Sequence, residues 1–239
     1  MESRGQRIFV AGATGYLGKF VVQEALKRGY KVRALTRNKA RLPAELAGIS
    51  QNTEFEVVEG EVTKPETLRG LTKDCDILFS SIGITKQQDK GVTYMDVDYG
   101  ANRNLLDEAK QSESVSRFIY THVLNAEKIL HVELIAAKHR FVSELKAEYE
   151  ETKKIRPCVV CPSGFYSDLE EILEMALSGR VYVFGDSKSK FVSPIWGGDL
   201  APTVLDALEQ RQEDTPIGGP ETLSLMNVAE LRTRMNNIE

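Results

Sequence analysis

The residues with the clearest chemical meaning are Gly12, Gly15 and Gly18, which are spaced G-x-x-G-x-x-G near the N-terminus. They follow the apolar run 7–11 directly and precede an apolar helical stripe. Glycines at such a turn allow unusual backbone angles, let a pyrophosphate approach bare backbone, and bring the helix close to the strand. The N-terminus of the helix offers N–H groups and a positive dipole end to phosphates. The spacing predicts a dinucleotide site, and a plain tight strand-to-helix turn is the alternative.

The end of the second apolar run bears on the choice between NAD and NADP. An NAD site usually has Asp or Glu about 20 residues beyond the glycine motif, where it holds the ribose hydroxyls. This chain has Arg37 there, with Lys39 close by. Because a guanidinium attracts a 2′-phosphate, NADP(H) is favoured over NAD(H) as the cofactor. The alternative is a solvated basic strand end.

Three side chains could take part in proton transfer or hold a ligand, namely Lys138, His122 and His131. Lys138 lies within an apolar stripe of a helix predicted over 131–150, so it either reaches out to water or holds an anionic or hydroxylated group inside. His131 is expected on the same helix face, and His122 ends a predicted strand. Either histidine could act as an acid near neutral pH or be a hydrogen-bonded packing residue.

The three cysteines are Cys75, Cys158 and Cys161, and the last two form a C-x-x-C pair. This pair lies in a β-branched run typical of a buried strand, where residues three apart point to opposite faces. Cysteines on opposite faces cannot act together, so we expect packing residues. The sequence shows no spacing of metal ligands, and no metal is predicted.

The positions of these residues depend on strands that alternate with helices, which predicts a doubly wound parallel sheet covered on both faces. The predicted strands span 7–11, 31–37, 54–59, 75–83, 117–123 and the surroundings of 158–161. The predicted helices span 15–29, 65–73, 94–111 and 131–150.

The regular alternation of strands and helices ends after residue 162. We expect a loop over 162–168, a helix to about 178, and strands over 181–185 and 190–195. A helix over 200–210 capped by Asp199, an extended piece from Thr215 and a last helix should follow. We predict a single domain over 1–239, in which residues from about 163 onward contribute a partial substrate-side cap. The polar stretch 84–92 is either a lid or an ordinary surface loop.

Composition narrows the class of partner. The chain has 239 residues, 41% hydrophobic and 28% charged, with a net charge of −4. A nucleic-acid partner is not expected without a basic face, and no run approaches the roughly 18 apolar residues of a membrane span. The N-terminus enters a strand at once, without a signal peptide, so a cytoplasmic location and a small-molecule substrate are expected.

Several runs together resemble a known family. They are VAGATGYLG at 10–18, RALTR at 33–37, GEVTKPETL at 60–68, DILFSSIG at 76–83, NLLDEA at 104–109 and PSGFYSDL at 162–169. This pattern resembles the NmrA-like, NAD(P)H-binding branch of the atypical short-chain dehydrogenases/reductases. The resemblance covers nearly the whole chain and implies a Rossmann fold.

The resemblance implies a role for each residue that matches the family pattern. The glycine turn would hold the pyrophosphate, Arg37 the 2′-phosphate, residues 61–62 the adenine, residues 81–83 the riboses, and residues 162–165 the nicotinamide. The implied cofactor-binding residues are Gly12, Ala13, Thr14, Gly15, Tyr16, Leu17, Gly18, Arg37, Glu61, Val62, Ser81, Ile82, Gly83, Thr121, Lys138, Pro162, Ser163, Gly164 and Phe165.

One departure from the wider superfamily leaves the activity open. Its members reduce carbonyls with a Tyr-x-x-x-Lys pair, but Leu134 stands four residues before Lys138 here. The first hypothesis is an NADPH-dependent oxidoreductase that moves hydride to or from a small organic substrate. The second is a non-catalytic NADP(H) sensor or assembly partner that binds another protein. A nucleotide-sugar epimerase is a weaker third, because the tyrosine is absent and the cap is short.

Overall fold

The centre of the protein is a parallel sheet of seven strands. The computed structural model describes residues 5–84, 91–169, 191–224 and 226–227. Among these residues the strands of the sheet are β1 (Arg7–Ala11), β2 (Lys31–Thr36), β3 (Phe55–Glu59), β4 (Ile77–Ser80), β5 (Arg117–Thr121), β6 (Arg156–Pro162) and β8 (Asp214–Ile217). Their order across the sheet is β3-β2-β1-β4-β5-β6-β8, and every pairing is parallel. A separate antiparallel pair joins β7 (Phe191–Val192) to β9 (Leu223–Ser224).

Helices cover both faces of this sheet. The α-helices are α1 (Tyr16–Lys27), α2 (Ala44–Ala47), α3 (Asn102–Gln111), α4 (Glu133–Thr152) and α5 (Gly197–Glu209). A π-helical segment, Met95–Ala101, leads into α3. Short 3-10 turns lie at Lys39–Arg41, Pro65–Thr67, Ala126–Lys128 and Tyr166–Leu169.

The alternation of side chains along β1 explains the two layers. Ile8 and Val10 belong to the core beneath α1 and α5. Phe9 and Ala11 face the opposite core, beneath α3 and α4. All four are fully buried, as expected of a strand in a parallel sheet that has helices on both faces. The predicted doubly wound parallel sheet is therefore confirmed.

The chain after residue 196 completes this sheet. Helix α5 packs against α1, where the Arg28 guanidinium binds the Asp206 carboxylate at 2.7 Å and the Pro202 carbonyl at 3.1 Å. Strand β8 then adds to the sheet beside β6. These contacts tie the segment firmly to the Rossmann core. Its contribution to a substrate-side cap stays a prediction.

Several predicted boundaries were wrong. The helix expected over 65–73 is one 3-10 turn, because Gly70 with φ +75° interrupts it. Asp199 does not cap α5, which begins two residues earlier after Trp196 and places Asp199 in its first turn, near the positive end of the helix dipole. The strand expected over 190–195 is the short β7. The expected helix to about 178, the strand over 181–185, most of the 84–92 loop and most of the last helix lie outside the described residues.

Cys158 and Cys161 are unpaired and lie on opposite faces of β6, as predicted. Cys158 belongs to the core on the α1 side of the sheet, and Cys161 packs against the core on the other side. Burial raises the pKa of Cys158 to about 12 and that of Cys161 to about 11. Both thiols therefore stay protonated at neutral pH, which makes them poor nucleophiles and metal ligands.

Candidate functional site

A cavity of about 380 Å³ opens at the carboxyl ends of β1, β2 and β4. In an open parallel sheet this edge, next to the point where strand order reverses, is where ligands bind. Nine residues implied by the resemblance line it: Gly12, Thr14, Gly15, Arg37, Glu61, Val62, Ser81, Ile82 and Gly83. Seven further residues complete the lining: Leu35, Thr36, Gly60, Thr63, Ile84, Val92 and Val97.

The three glycines of the turn have different tasks. Gly12 has φ +84°, and a Cβ there would lie 2.7 Å from the Ser81 Oγ. A Cβ on Gly18 would overlap the Gly12 carbonyl oxygen, so Gly18 lets α1 approach β1. Gly15 has ordinary backbone angles, is exposed at the cavity, and meets only the Gly12 oxygen within 4 Å, at 3.2 Å. The turn is thus a bare backbone cradle of the kind a pyrophosphate needs.

The basic end of β2 borders the same cavity. Arg37 is exposed at its rim, directly after Thr36. The nearby Glu59 carboxylate at the end of β3 accepts the Lys39 N–H at 2.8 Å. Arg33 points elsewhere, because its guanidinium binds Glu56 at 2.8 Å and the Lys73 carbonyl at 2.7 Å. Arg37 therefore provides a cation at the rim of the cavity, and its implied role at a 2′-phosphate stays a prediction.

Three residues of the glycine turn do not present their side chains to the cavity. Ala13 and Leu17 are buried in the core beneath α1. The Tyr16 hydroxyl accepts the Gly197 N–H at 3.1 Å, and its ring lies 5.3 Å from that of Phe165. None of these three residues is among those that line the cavity.

The loop after β6 is tied to neighbouring segments. Pro162 ends β6 beside Ile217, and the Ser163 Oγ donates to the Ser193 carbonyl. The Gly164 carbonyl accepts the Ile195 N–H at 2.9 Å. Together with the ring contact between Phe165 and Tyr16, these bonds place the loop next to the glycine turn. Its implied role at the nicotinamide stays a prediction.

Lys138 lies in a buried cluster beside the cavity. Its Nζ is 3.3 Å from the Asp98 Oδ1, 3.5 Å from the Tyr120 hydroxyl and 3.5 Å from the Thr121 carbonyl. A Cβ on Gly83, a residue of the cavity wall, would lie 3.0 Å from that nitrogen. The structure therefore brings Lys138 to the wall formed by residues 81–83, where the resemblance places a ribose.

Burial and charge act against each other in this cluster. Burial disfavours the Lys138 ammonium, yet Tyr120 and Asp98 outweigh it and hold the pKa of Lys138 above its ordinary value. Burial raises the pKa of Asp98, and the Lys138 charge and the Ile84 N–H oppose that rise. Burial also raises the pKa of Tyr120. At neutral pH the cluster is best described as an ammonium, a carboxylate and a neutral phenol.

The two candidate histidines lie in very different places. Helix α4 begins at Glu133, so the expected position of His131 on the same helix face as Lys138 was wrong; it lies exposed in the preceding turn. His122 is buried, with neither ring nitrogen hydrogen-bonded to the described residues, and its ring lies 5.7 Å from His139. Burial, aided by the Lys138 charge, lowers the pKa of His122 to about 4. His122 is therefore neutral at pH 7.

Sequence reasoning missed Tyr120 and the partnership of Asp98 with Lys138. Tyr120 is fully buried on β5, two residues before His122 on the same strand face. No tyrosine precedes Lys138 by four residues, since Leu134 occupies that position. The phenol next to Lys138 comes from the strand. The alternation of β5 could have indicated that Tyr120 faces α4.

Two classes of site are absent from the part of the chain that the structure describes. No three His, Cys, Asp or Glu side chains there lie close enough together to hold a metal ion. No helix among the described residues is long and apolar enough to cross a membrane.

Comparison with solved structures supports the fold. A UDP-Glc/GlcNAc 4-epimerase from Campylobacter jejuni superposes with a TM-score of 0.78 at 15% identity, over 98% of this chain and 85% of that one. The yeast methylglyoxal/isovaleraldehyde reductase Gre2, solved with NADPH, gives 0.67 at 14% identity, over 89% and 78%. At such identities the likeness is one of fold.

Relatives found by sequence have higher identity to this chain than these solved structures do. The chain is 29% identical over 221 residues to a chloroplastic divinyl chlorophyllide a 8-vinyl-reductase of Zea mays, covering 89% of this chain and 55% of the relative. It is 31% identical over 163 residues to the photosystem II assembly factor Ycf39 of Guillardia theta, covering 68% and 48%. The chain thus spans about half the length of these relatives. The profile of the NmrA-like family matches residues 4–180, and the chain belongs to the NmrA-like family.

Proposed function

We propose that the protein is an NADPH-dependent oxidoreductase that moves hydride between the nicotinamide and a small organic substrate. The observation that carries the proposal is the cavity at the carboxyl ends of the strands, with a glycine cradle at one side and Arg37 at its rim. Its volume of about 380 Å³ suits a part of a dinucleotide, the remainder of which would follow the strand ends towards β5 and β6.

The glycine turn and Arg37 fit the two phosphate-bearing parts of the cofactor, the pyrophosphate and the 2′-phosphate. The bare turn at Gly12 and Gly15 leaves room for two phosphates, and the start of α1 contributes its positive dipole end. Arg37 supplies a further cation, and α1 has no acidic residue in its first turn to oppose the phosphates. The choice of NADP(H) over NAD(H) rests on Arg37.

The bound nicotinamide supplies or accepts the hydride, and the protein must orient it and provide charge where the reaction needs it. Lys138 is the residue placed to do so, because its amine lies at the Gly83 wall. It would hold the hydroxyls of the nicotinamide ribose. His122, neutral at pH 7, stays a candidate hydrogen-bond donor rather than an acid poised near neutrality.

The substrate class is inferred from the relatives. Four of them are named as reductases of the 8-vinyl group of divinyl chlorophyllide a, and the chain matches 89% of its length to each. Reduction of a carbon–carbon double bond needs a hydride on one carbon and a proton on the other. It does not need a tyrosine that protonates a carbonyl oxygen, which agrees with Leu134 at the usual tyrosine position.

One observation favours a second candidate function. The missing tyrosine is also compatible with a protein that binds NADP(H) without turnover, and several relatives are named as photosystem II assembly factors. Such a protein would bind a protein partner and respond to whether the bound cofactor is oxidised or reduced. The location of this chain, expected to be cytoplasmic, stays a prediction, since the names of several relatives specify the chloroplast.

Arg37→Ala is expected to weaken NADPH binding by about 1–3 kcal/mol, the range for a charge-assisted hydrogen bond to a phosphate. NADH, which lacks the 2′-phosphate, should bind the variant and the wild type equally. Calorimetric titration of both cofactors measures this. Arg33→Ala is the matched control, since that guanidinium is engaged by Glu56 outside the cavity. Equal loss for both cofactors, or none, would remove the basis for choosing NADP.

Incubation with NADPH and divinyl chlorophyllide a, quinones, enones, aldehydes or ketones is expected to oxidise the cofactor, followed as loss of its absorbance. Lys138→Ala should lower this rate by roughly 100-fold, and by more than it weakens NADPH binding, because it disturbs orientation as well as affinity. The exposed Lys146→Ala on the same helix is the control. If no substrate reacts, and NADP⁺ and NADPH differ in their effect on a bound protein, the sensor function is supported instead.

A further inference from the structure

Lys138 has two partners that come from separate elements and have no counterpart in the Tyr-x-x-x-Lys arrangement. Asp98 belongs to the π-helical segment, and Tyr120 belongs to strand β5 of the central sheet. Both side chains are fully buried, while that of Lys138 keeps 14% of its surface exposed. The Lys138 amine therefore contacts buried groups on the side of Asp98 and Tyr120, and only a small part of the Lys138 side chain is exposed.

The local backbone aims Asp98 at this spot. The π-helical segment inserts extra backbone relative to an α-helix, a feature that is rare in proteins and frequent at functional sites. The Asn102 amide donates to the Asp98 carbonyl at 2.9 Å, and the Tyr120 hydroxyl donates to the same carbonyl at 3.4 Å. The carboxylate then accepts the Ile84 N–H at 3.2 Å and faces Lys138 with its other oxygen.

Stability alone does not account for this cluster. A buried ion pair gains little over apolar residues of the same volume, because desolvation of both charges offsets their attraction. A buried lysine without a counter-ion tends to lose its proton. The pair is therefore better explained by a need for a charged amine at this point.

Gly83 is the residue of the cavity wall that lies next to the cluster. A Cβ there would overlap the Asp98 carboxylate and crowd the Lys138 Nζ, so only a bare backbone lets both groups reach the wall. The Lys138 amine thus lies against Gly83 of the cavity wall, while the Lys138 side chain is not among the described residues that line the cavity.

We propose that Asp98 and Tyr120 are positioning residues for Lys138: the carboxylate keeps the amine charged, and the phenol fixes it against Gly83 beside the cofactor ribose. The inference rests on the proposed function for its ligand. It assigns different roles to the two partners at neutral pH: the Asp98 carboxylate supplies the opposite charge, and Tyr120, a neutral phenol there, supplies a hydrogen-bond partner that fixes the position of the amine.

The test measures NADPH affinity as a function of pH. Asp98→Asn keeps the shape and an oxygen for the Ile84 N–H but removes the charge. The dissociation constant of this variant relative to wild type should rise about fivefold or more between pH 6 and pH 9, because the unpaired amine loses its proton. Tyr120→Phe should instead weaken binding by a constant factor of about three to ten across that range. Ratios to wild type cancel the titration of the 2′-phosphate itself.

According to the proposal, Asp98→Asn and Tyr120→Phe both change NADPH affinity by acting on Lys138. The titratable groups that face it are Asp98, Tyr120 and, through its charge, His122. In a Lys138→Met background, Asp98→Asn should add no pH dependence, which a double-mutant cycle reports. A flat ratio for Asp98→Asn, or a slope that persists without Lys138, overturns the proposal.

A direct measurement on the wild type covers the case in which Asp98→Asn fails to fold. The Lys138 ε-carbon resonance, assigned by its loss in Lys138→Met, should not titrate below about pH 10, near the ordinary range for lysine. Titration near neutrality overturns the proposal. This readout needs no cofactor, so it is separate from the failure of the proposed function, which would appear as no binding of NADPH or NADH to the wild type.

Discussion

Gly15→Val abolishes NADPH binding while the protein stays folded: this is the expected result with the greatest bearing on the cofactor. Gly15 has φ −80° and ψ 176°, which valine adopts without strain. A Cβ there meets only the Gly12 carbonyl oxygen, at 3.2 Å, so the added methyl groups extend into the exposed mouth of the turn. That is the space a pyrophosphate needs, and a loss of affinity on the order of 100-fold or more is expected.

Calorimetric titration with NADPH measures the loss, and circular dichroism and thermal unfolding report whether the fold is intact. The matched control is Gly48→Val, a glycine with φ −64° at the end of α2, away from the cavity lining. It should bind NADPH as the wild type does. A folded Gly15→Val protein that retains wild-type affinity would place the cofactor somewhere other than this turn.

Gly18→Ala, three residues further on, is expected to damage the fold itself. The added Cβ would overlap the Gly12 carbonyl oxygen and crowd the Ala13 Cα at 2.9 Å, and both of these atoms are backbone. Helix α1 must then move away from β1 and loosen the core that Leu17 and Val21 form with the sheet. We expect the free energy of unfolding to fall by about 3 kcal/mol, at the upper end of the usual cost of overpacking.

Thermal unfolding without cofactor checks this expectation, and a drop in Tm of roughly 6–12 °C corresponds to that loss for a chain of this size. Gly48→Ala serves as the control, because its Cβ would make only an ordinary contact with the Ala44 carbonyl oxygen, at 3.4 Å. A Gly18→Ala protein as stable as the wild type would contradict the assigned packing role. The two glycine variants thus separate loss of the ligand from loss of the fold.

The sheet and the glycine turn could be predicted because their signals are local. The apolar run Arg7–Ala11 and the glycine spacing lie within twelve consecutive residues, and period-2 alternation reports directly on burial. The position of Arg37 followed in the same way, from its place at the end of β2. Such features need no knowledge of which distant residues meet.

The Lys138 cluster could not be predicted in full, because its parts lie far apart in sequence. Asp98 depends on a π-helical segment, which hydrophobic periodicity does not distinguish from an α-helix. Tyr120 resembles any aromatic residue of a core strand, and its hydroxyl becomes informative only once α4 places Lys138 above it. His131 was misplaced because no capping side chain marks the start of α4 in the sequence, and the helix begins two residues later, at Glu133.

The packing of α1 against α5 has a consequence for how the protein is made. The bond between Arg28 and Asp206 joins residues 178 positions apart, so the partner of α1 is among the last described elements to leave the ribosome. At typical synthesis rates that interval lasts roughly 10–40 s. Throughout it, the apolar side of α1, with Val21, Val22 and Ala25, lacks the cover that Val204 and Leu208 later provide. An apolar helix face that stays uncovered for this long is prone to aggregate, so we expect folding of the chain during synthesis to benefit from chaperones.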